Sequence, residues 1–125
     1  MGDLSTHFSR HEFECSCNCG FDSVDYMTLI ILEDVRENFG KPITVTSAAR
    51  CFEWNRVPAS KGGPGSNDNS QHPLARAVDF VVAGENPRDI QSYLKTRYPD
   101  IYGIGSYSNF THLDTRTKGP ARWQS

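Results

Sequence analysis

A chain of 125 residues can bury one continuous hydrophobic core and is too short to divide, so residues 1–125 are expected to form a single domain. Thirteen Lys and Arg against fifteen Asp and Glu leave a formal net charge of -2 with no block of like charge, which excludes the electrostatic footprint of a nucleic-acid binder. No apolar run approaches the length that spans a bilayer, so no membrane insertion is expected, and the polar opening MGDLSTHFSRHEF lacks the apolar core of a signal peptide.

In chain order, Ser9 and Glu12 have capping-box spacing, which predicts a short helical turn from about Phe8 to just before the cysteines. Asp22 or Ser23 can cap a longer helix through about Asn38, with Met27, Ile30, Ile31 and Val35 on its inner stripe and Gly40 as its stop. Residues 42–46, PITVT, read as a strand that ends in the turn Ser47-Ala48-Ala49-Arg50. The glycine-rich stretch from Arg56 through Asn69 reads as a loop bordering a cleft. A strand around Asp79 follows, then a helix capped by Asn86-Pro87 and running to about Tyr98 with Ile90, Tyr93 and Leu94 inward. Tyr102 to Tyr107 and Phe110 to Asp114 read as two closely joined strands. This order predicts an α+β domain with a mainly antiparallel sheet and flanking helices.

The segment SQHPLARAVDF places His72 ahead of Asp79 and sinks that carboxylate among Ala77, Val78, Phe80, Val81 and Val82. An unpaired charge there would cost several kcal/mol or be forced to protonate, so Asp79 needs a partner. A metal ion is one such partner. The segment FTHLD supplies His112 on a second apolar strand, and two imidazoles with one carboxylate are the ligand set of a catalytic zinc whose fourth position is left to water. Without a metal, the same side chains read as a loop histidine, a salt-bridged core carboxylate and a strand histidine. Strand alternation puts Phe110, His112 and Asp114 on one face, so Asp114 stands beside the pocket. Cys15, Cys17 and Cys19 alternate in ECSCNCG and Cys51 lies far along the chain. This is not the CxxC pairing of a zinc knuckle, and it leaves open a second metal cluster, disulfides bracing Cys51 against the N-terminal segment, or plain thiols.

Taken together, LSTHFSRHEFEC, KPITVTSAAR, SQHPLARAVDF and GIGSYSNFTHLDTR resemble, nearly end to end, the zinc D-alanyl-D-alanine carboxypeptidase-like peptidases of the M15 family, in their small phage and bacterial cell-wall branch. The resemblance implies that His72, Asp79 and His112 bind Zn²⁺ and that Arg50 contacts substrate and steadies developing oxyanion charge. Two positions depart from the family pattern: Ala75 stands where the first metal motif has glycine, and Asn109 and Phe110 stand where better-known relatives carry an acidic base or assisting histidine. Neither Asn109 nor Phe110 accepts a proton at neutral pH. Asp114 is then the best available carboxylate, either as the general base or as the group that orients His112 or Arg116. The implied activity is metal-assisted hydrolysis of a peptide bond in peptidoglycan stem peptides or crossbridges, as a D,D-carboxypeptidase or an endopeptidase. A monomer is expected, made in the cytoplasm and reaching the wall as a phage endolysin through holin-type release. The rival reading, motivated by the missing base, is a non-catalytic zinc-containing module for wall binding or virion structure.

Overall fold

Among the described residues, five strands and three helices build the fold, and a row of residues running across the sheet places the chemistry. The computed structural model describes residues 2–66 and 69–125; Asn67 and Asp68, in the glycine-rich stretch, lie outside the described residues. A 3-10 turn over Arg10–Phe13 follows Ser9, whose backbone N–H donates to Glu12 Oε2 at 2.7 Å, so the capping-box spacing does form a turn. It buries Phe13 completely.

Helix α1 spans Tyr26–Phe39 and ends at Gly40, whose φ of 66° lies in the left-handed region where glycine carries no Cβ penalty. Its cap is Asp25, three residues after Asp22 and two after Ser23, and its buried stripe is Thr28, Leu29, Ile31, Leu32 and Val35, while Met27 and Ile30 are exposed. The rotation has a long-range cause. Thr28 Oγ1 donates to Arg76 O at 2.9 Å and lies 2.9 Å from Thr115 Oγ1, which turns that residue, and not Met27, toward the sheet.

Strand β1 is Ile43–Ser47, β2 Ala77–Val82, β3 Gly103–Ser106, β4 Thr111–Asp114 and β5 Ala121–Gln124. Their order in the sheet is β1-β2-β4-β3-β5, antiparallel except for the β3–β5 pair. This is the expected α+β architecture with a mainly antiparallel sheet and flanking helices. Sequence reading leaves β5 out because its segment, Ala-Arg-Trp-Gln, is short and charged. Helix α3 spans Pro87–Arg97, with Asn86 Oδ1 accepting from Arg88 N–H at 3.0 Å. Two further elements interrupt the stretch around the predicted loop: α2, Phe52–Arg56, and a 3-10 turn, Ala59–Lys61.

One sheet face carries Val78, Phe80 and Val82 from β2, Leu113 from β4 and Ile104 from β3, all buried with Ile31, Leu32 and Val35 of α1 and Ile90 and Leu94 of α3. The other face is built for a site. Register aligns Ser47, Asp79, His112, Gly105 and Trp123 across all five strands, so a single row of the sheet holds the carboxylate, a histidine and an indole. Among the described residues, no helix is long and apolar enough to cross a membrane.

Candidate metal centre

His72, Asp79 and His112 each offer a donor atom, and these atoms lie within 4.8 Å of one another with all three residues buried. His72 reaches the row from outside it. A 3-10 turn, His72–Leu74, carries it over the sheet, and Ala75 closes that turn with a φ of 60°. The left-handed conformation gives a physical reason for the glycine of the family motif, since an L-residue with a Cβ adopts it at a cost of about 1–2 kcal/mol. Ala75 is nonetheless held at both ends: its N–H donates to His72 O at 3.1 Å and its carbonyl accepts from Asp25 N–H at 2.7 Å.

Hydrogen bonds decide which ring nitrogens are available. His72 Nδ1 lies 2.7 Å from Ala48 O, and because a carbonyl only accepts, Nδ1 carries the proton and Nε2 presents its lone pair 3.5 Å from Asp79 Oδ2. Burial pushes the pKa of His72 down against the opposing pull of Asp79, which favours the neutral, ligand-competent ring. His112 Nε2 lies 2.8 Å from Asp114 Oδ2, and His112 Nδ1 lies 2.8 Å from Asp79 Oδ1. Burial alone would lower the pKa of His112, but the hydrogen bonds to Asp114 and Asp79 override it and raise it. Donation from Nε2 to Asp114 leaves Nδ1 to share a cation, proton or metal, with Asp79. Tetrahedral zinc with ligands at about 2.0–2.1 Å requires donor atoms about 3.3 Å apart. His112 Nδ1 lies 2.8 Å from Asp79 Oδ1 and His72 Nε2 3.5 Å from Asp79 Oδ2, and one donor atom of each residue lies within 4.8 Å of the others, so two neutral-capable imidazoles and a carboxylate are gathered as a donor set that suits the ion.

Arg50 lies beside Asp79 on the turn after β1, only 9% exposed. Its Nε donates to Ser47 Oγ at 3.0 Å, Nη1 to Asn55 Oδ1 at 3.3 Å and Ser66 Oγ at 3.1 Å, and Nη2 to Asp79 Oδ2 at 3.4 Å. It therefore does two things at once: it lines the cleft and it ties its turn to the buried carboxylate. Burial would raise the pKa of Asp79, but hydrogen bonds from His112 and His72 hold it well below the ordinary carboxylate range.

Asp114 sits behind His112 with no exposed surface. Arg116 grips it with two prongs, Nε to Oδ1 and Nη2 to Oδ2, each at 2.7 Å, and adds its backbone N–H at 3.2 Å. Burial again pushes upward and is overridden, first by Arg116 and then by His112, so this carboxyl too lies well below its usual range. The room for it comes from Gly103, where a Cβ would collide with the Asp114 carboxylate. Gly105 plays the same part for Trp123, whose ring a Cβ would meet at 2.6 Å.

His72, Asp79 and His112, with Arg50 and Arg116, line an open cleft of ≈430 Å³. Its aromatic wall was not among the candidate site residues read from sequence: Tyr107 stacks on Phe110 at 4.2 Å, and Trp123 packs 4.9 Å from His112 and donates Nε1–H to Tyr107 Oη at 3.0 Å. Sequence offers a faint signal for it, three aromatics around the Gly-Ile-Gly strand, but Trp123 comes into range only through the pairing of β5 with β3. Part of the glycine-rich stretch, Pro64 to Ser66, lines the opposite side, pinned by Gly65 N–H to Val57 O at 2.8 Å and Ser66 N–H to Asn55 O at 3.0 Å.

The family model described as Peptidase M15 matches residues 6–114. Comparison with curated proteins and with solved structures finds no match to either. With a matched span that includes every strand of the metal-capable row except β5, the chain belongs to the M15 peptidase family.

Proposed function

We propose that this protein hydrolyses a peptide bond within peptidoglycan stem peptides or crossbridges, with zinc held by His72 Nε2, an Asp79 oxygen and His112 Nδ1. The observation that carries this reading is the convergence of those three donors at the floor of an open cleft, in a chain of a peptidase family. Zinc bound there supplies Lewis acidity, lowering the pKa of a water and polarising the scissile carbonyl.

The surrounding side chains have distinct parts. Among the described residues, four of the five N–H groups of Arg50 are spent on neighbours, which leaves one on Nη2 for a single hydrogen bond to a developing oxyanion. A two-pronged grip on a terminal carboxylate would break the contacts that position the guanidinium. This favours endopeptidase action over D,D-carboxypeptidase action. Trp123 donates to the Tyr107 oxygen, so the hydroxyl proton of Tyr107 is free to point at substrate. Gln71 Oε1 is buried without a hydrogen-bond partner among the described residues and suits a substrate N–H. Phe110 stacked on Tyr107 gives the cleft an apolar wall, a fit for alanyl methyl groups.

Asp114, in this reading, fixes the tautomer of His112 and does not take the proton of water. Both its oxygens are already engaged, and a carboxyl held below its ordinary range beside a guanidinium is a weak base at neutral pH.

The test uses purified protein stripped with a chelator and reloaded with zinc, incubated with whole sacculi and with defined stem peptides. New internal amines that vanish on chelation and return with zinc support the endopeptidase reading, and free D-alanine alone would replace it with carboxypeptidase action. Arg50→Ala is expected to keep its zinc while turnover falls about 100-fold or more. Zinc-loaded protein that binds wall fragments and releases no product from any of them would overturn hydrolysis in favour of a non-catalytic wall-binding module.

A further inference from the structure

Away from the cleft, four thiols meet at one place. Cys15, Cys17 and Cys19 come from the loop after the Arg10–Phe13 turn, Cys51 from the residue after Arg50, and all four Sγ atoms lie within 4.8 Å of one another. Cys15 and Cys17 sulfurs are 3.4 Å apart and those of Cys17 and Cys51 3.6 Å, and all four cysteines are free. Alternate residues of an extended strand share a face but stand about 6.6 Å apart, so an extended Cys-x-Cys-x-Cys segment would not gather its sulfurs this closely. The backbone is curled to do it. Cys15 N–H donates to Phe21 O at 2.7 Å, Asn18 N–H to Cys15 O at 3.2 Å, and Asn18 and Gly20 take left-handed φ values of 64° and 92°.

Two backbone N–H groups also aim at sulfur: Cys51 N–H at Cys15 Sγ, 3.5 Å, and Trp54 N–H at Cys51 Sγ, 3.4 Å. A tetrahedral tetrathiolate with zinc–sulfur bonds of about 2.3 Å has sulfur–sulfur edges of about 3.8 Å, close to the separations already present.

We infer that Cys15, Cys17, Cys19 and Cys51 form a closed structural site for one zinc ion, distinct from the His72, Asp79 and His112 centre. Four thiolates select a soft divalent ion and leave no open position, so the site supports the fold and performs no turnover. Binding releases the thiol protons to solvent. The cross-link would tie the N-terminal loop to the turn bearing Arg50 and Ala48, whose carbonyl orients His72, reinforcing the backbone bond from Ala49 N–H to Phe13 O at 3.0 Å.

The experiment is metal analysis of reduced, desalted protein expressed with added zinc. The wild-type chain should carry two zinc ions, His72→Ala/His112→Ala one, and Cys17→Ser/Cys19→Ser one. A wild-type chain with one ion that the cysteine variant loses and the histidine variant keeps supports this site while removing the cleft centre. Cobalt loaded into the histidine variant should give the thiolate-to-metal charge-transfer absorption that an imidazole and carboxylate site lacks. Should the cysteine variant fail to fold, thiol reactivity of the wild type decides: the cysteines should be protected until a chelator is added. Four thiols that react at the same rate with and without chelator, or a disulfide among them in peptide maps of freshly purified protein, would overturn the inference.

Discussion

Replacing Asp114 by asparagine separates a residue that holds His112 from one that takes a proton. The fully buried carboxylate accepts from His112 Nε2 at 2.8 Å and from the half-buried Arg116 through two bonds of 2.7 Å. Asparagine keeps one acceptor and turns an NH₂ group toward a donor, so at least one charge-assisted hydrogen bond is lost and Arg116 loses its counter-charge. A hydrogen bond to a charged group contributes about 1.5–3 kcal/mol, and the partly exposed Arg116 can recover some of that from water, giving an expected loss of about 2 kcal/mol. In a domain of this size that corresponds to a fall in Tm of roughly 6–10 °C. Because an amide holds His112 Nε2–H less strongly than a carboxylate does, zinc affinity should drop about 10–100-fold. Competition with a chromophoric chelator measures the affinity, and thermal unfolding followed by circular dichroism measures the stability. A variant with wild-type zinc affinity and Tm but turnover reduced about 100-fold or more would refute the reasoning and make Asp114 the general base.

Gly103→Ala should destabilise the protein by about 1–3 kcal/mol in chemical denaturation and weaken zinc binding as well, because the new Cβ occupies the space of the Asp114 carboxylate. Ala75→Gly should raise stability by about 0.5–1 kcal/mol, since relief of the left-handed strain at φ 60° exceeds the added chain entropy, and a lowered urea midpoint would contradict this. Acid should unfold the metal-free protein. Asp79 and Asp114 have folded pKa values below their unfolded value of about 3.9, so their stabilisation is present above that pH and is lost as pH falls through it toward the folded values. Urea midpoints measured from about pH 6 down to about pH 3 should decline below about pH 4, and the decline should be shallower in Asp114→Asn; a flat profile would count against the pairing of both carboxylates.

Local chemistry made much of this molecule legible from its residues. Gly40 could end α1, Asn86-Pro87 could open α3, and Asp79 in an apolar strand demanded a partner, because caps, turns and buried charges act within a few residues of themselves. His112 was readable for the same reason, as a polar group on an apolar strand, and His72 from its place ahead of Asp79 in SQHPLARAVDF. Long-range pairing decided the rest. Periodicity alone placed Met27 and Ile30 inward, whereas the bonds of Thr28 to Arg76 and Thr115 rotated the helix, and no window around residue 28 contains those partners. Trp123 joined the cleft because β5 pairs with β3 and Gly105 leaves room for its ring, and Asp114 became a buried neighbour of His112 because Gly103 lies opposite it and Arg116 folds back on it. The four cysteines show the division most clearly: their spacing admitted thiols, disulfides or a metal, and only the curl of residues 15–21 against the Arg50 turn brought the sulfurs within reach of a single ion, since spacing along a chain carries no distance between segments until the tertiary fold closes the loop.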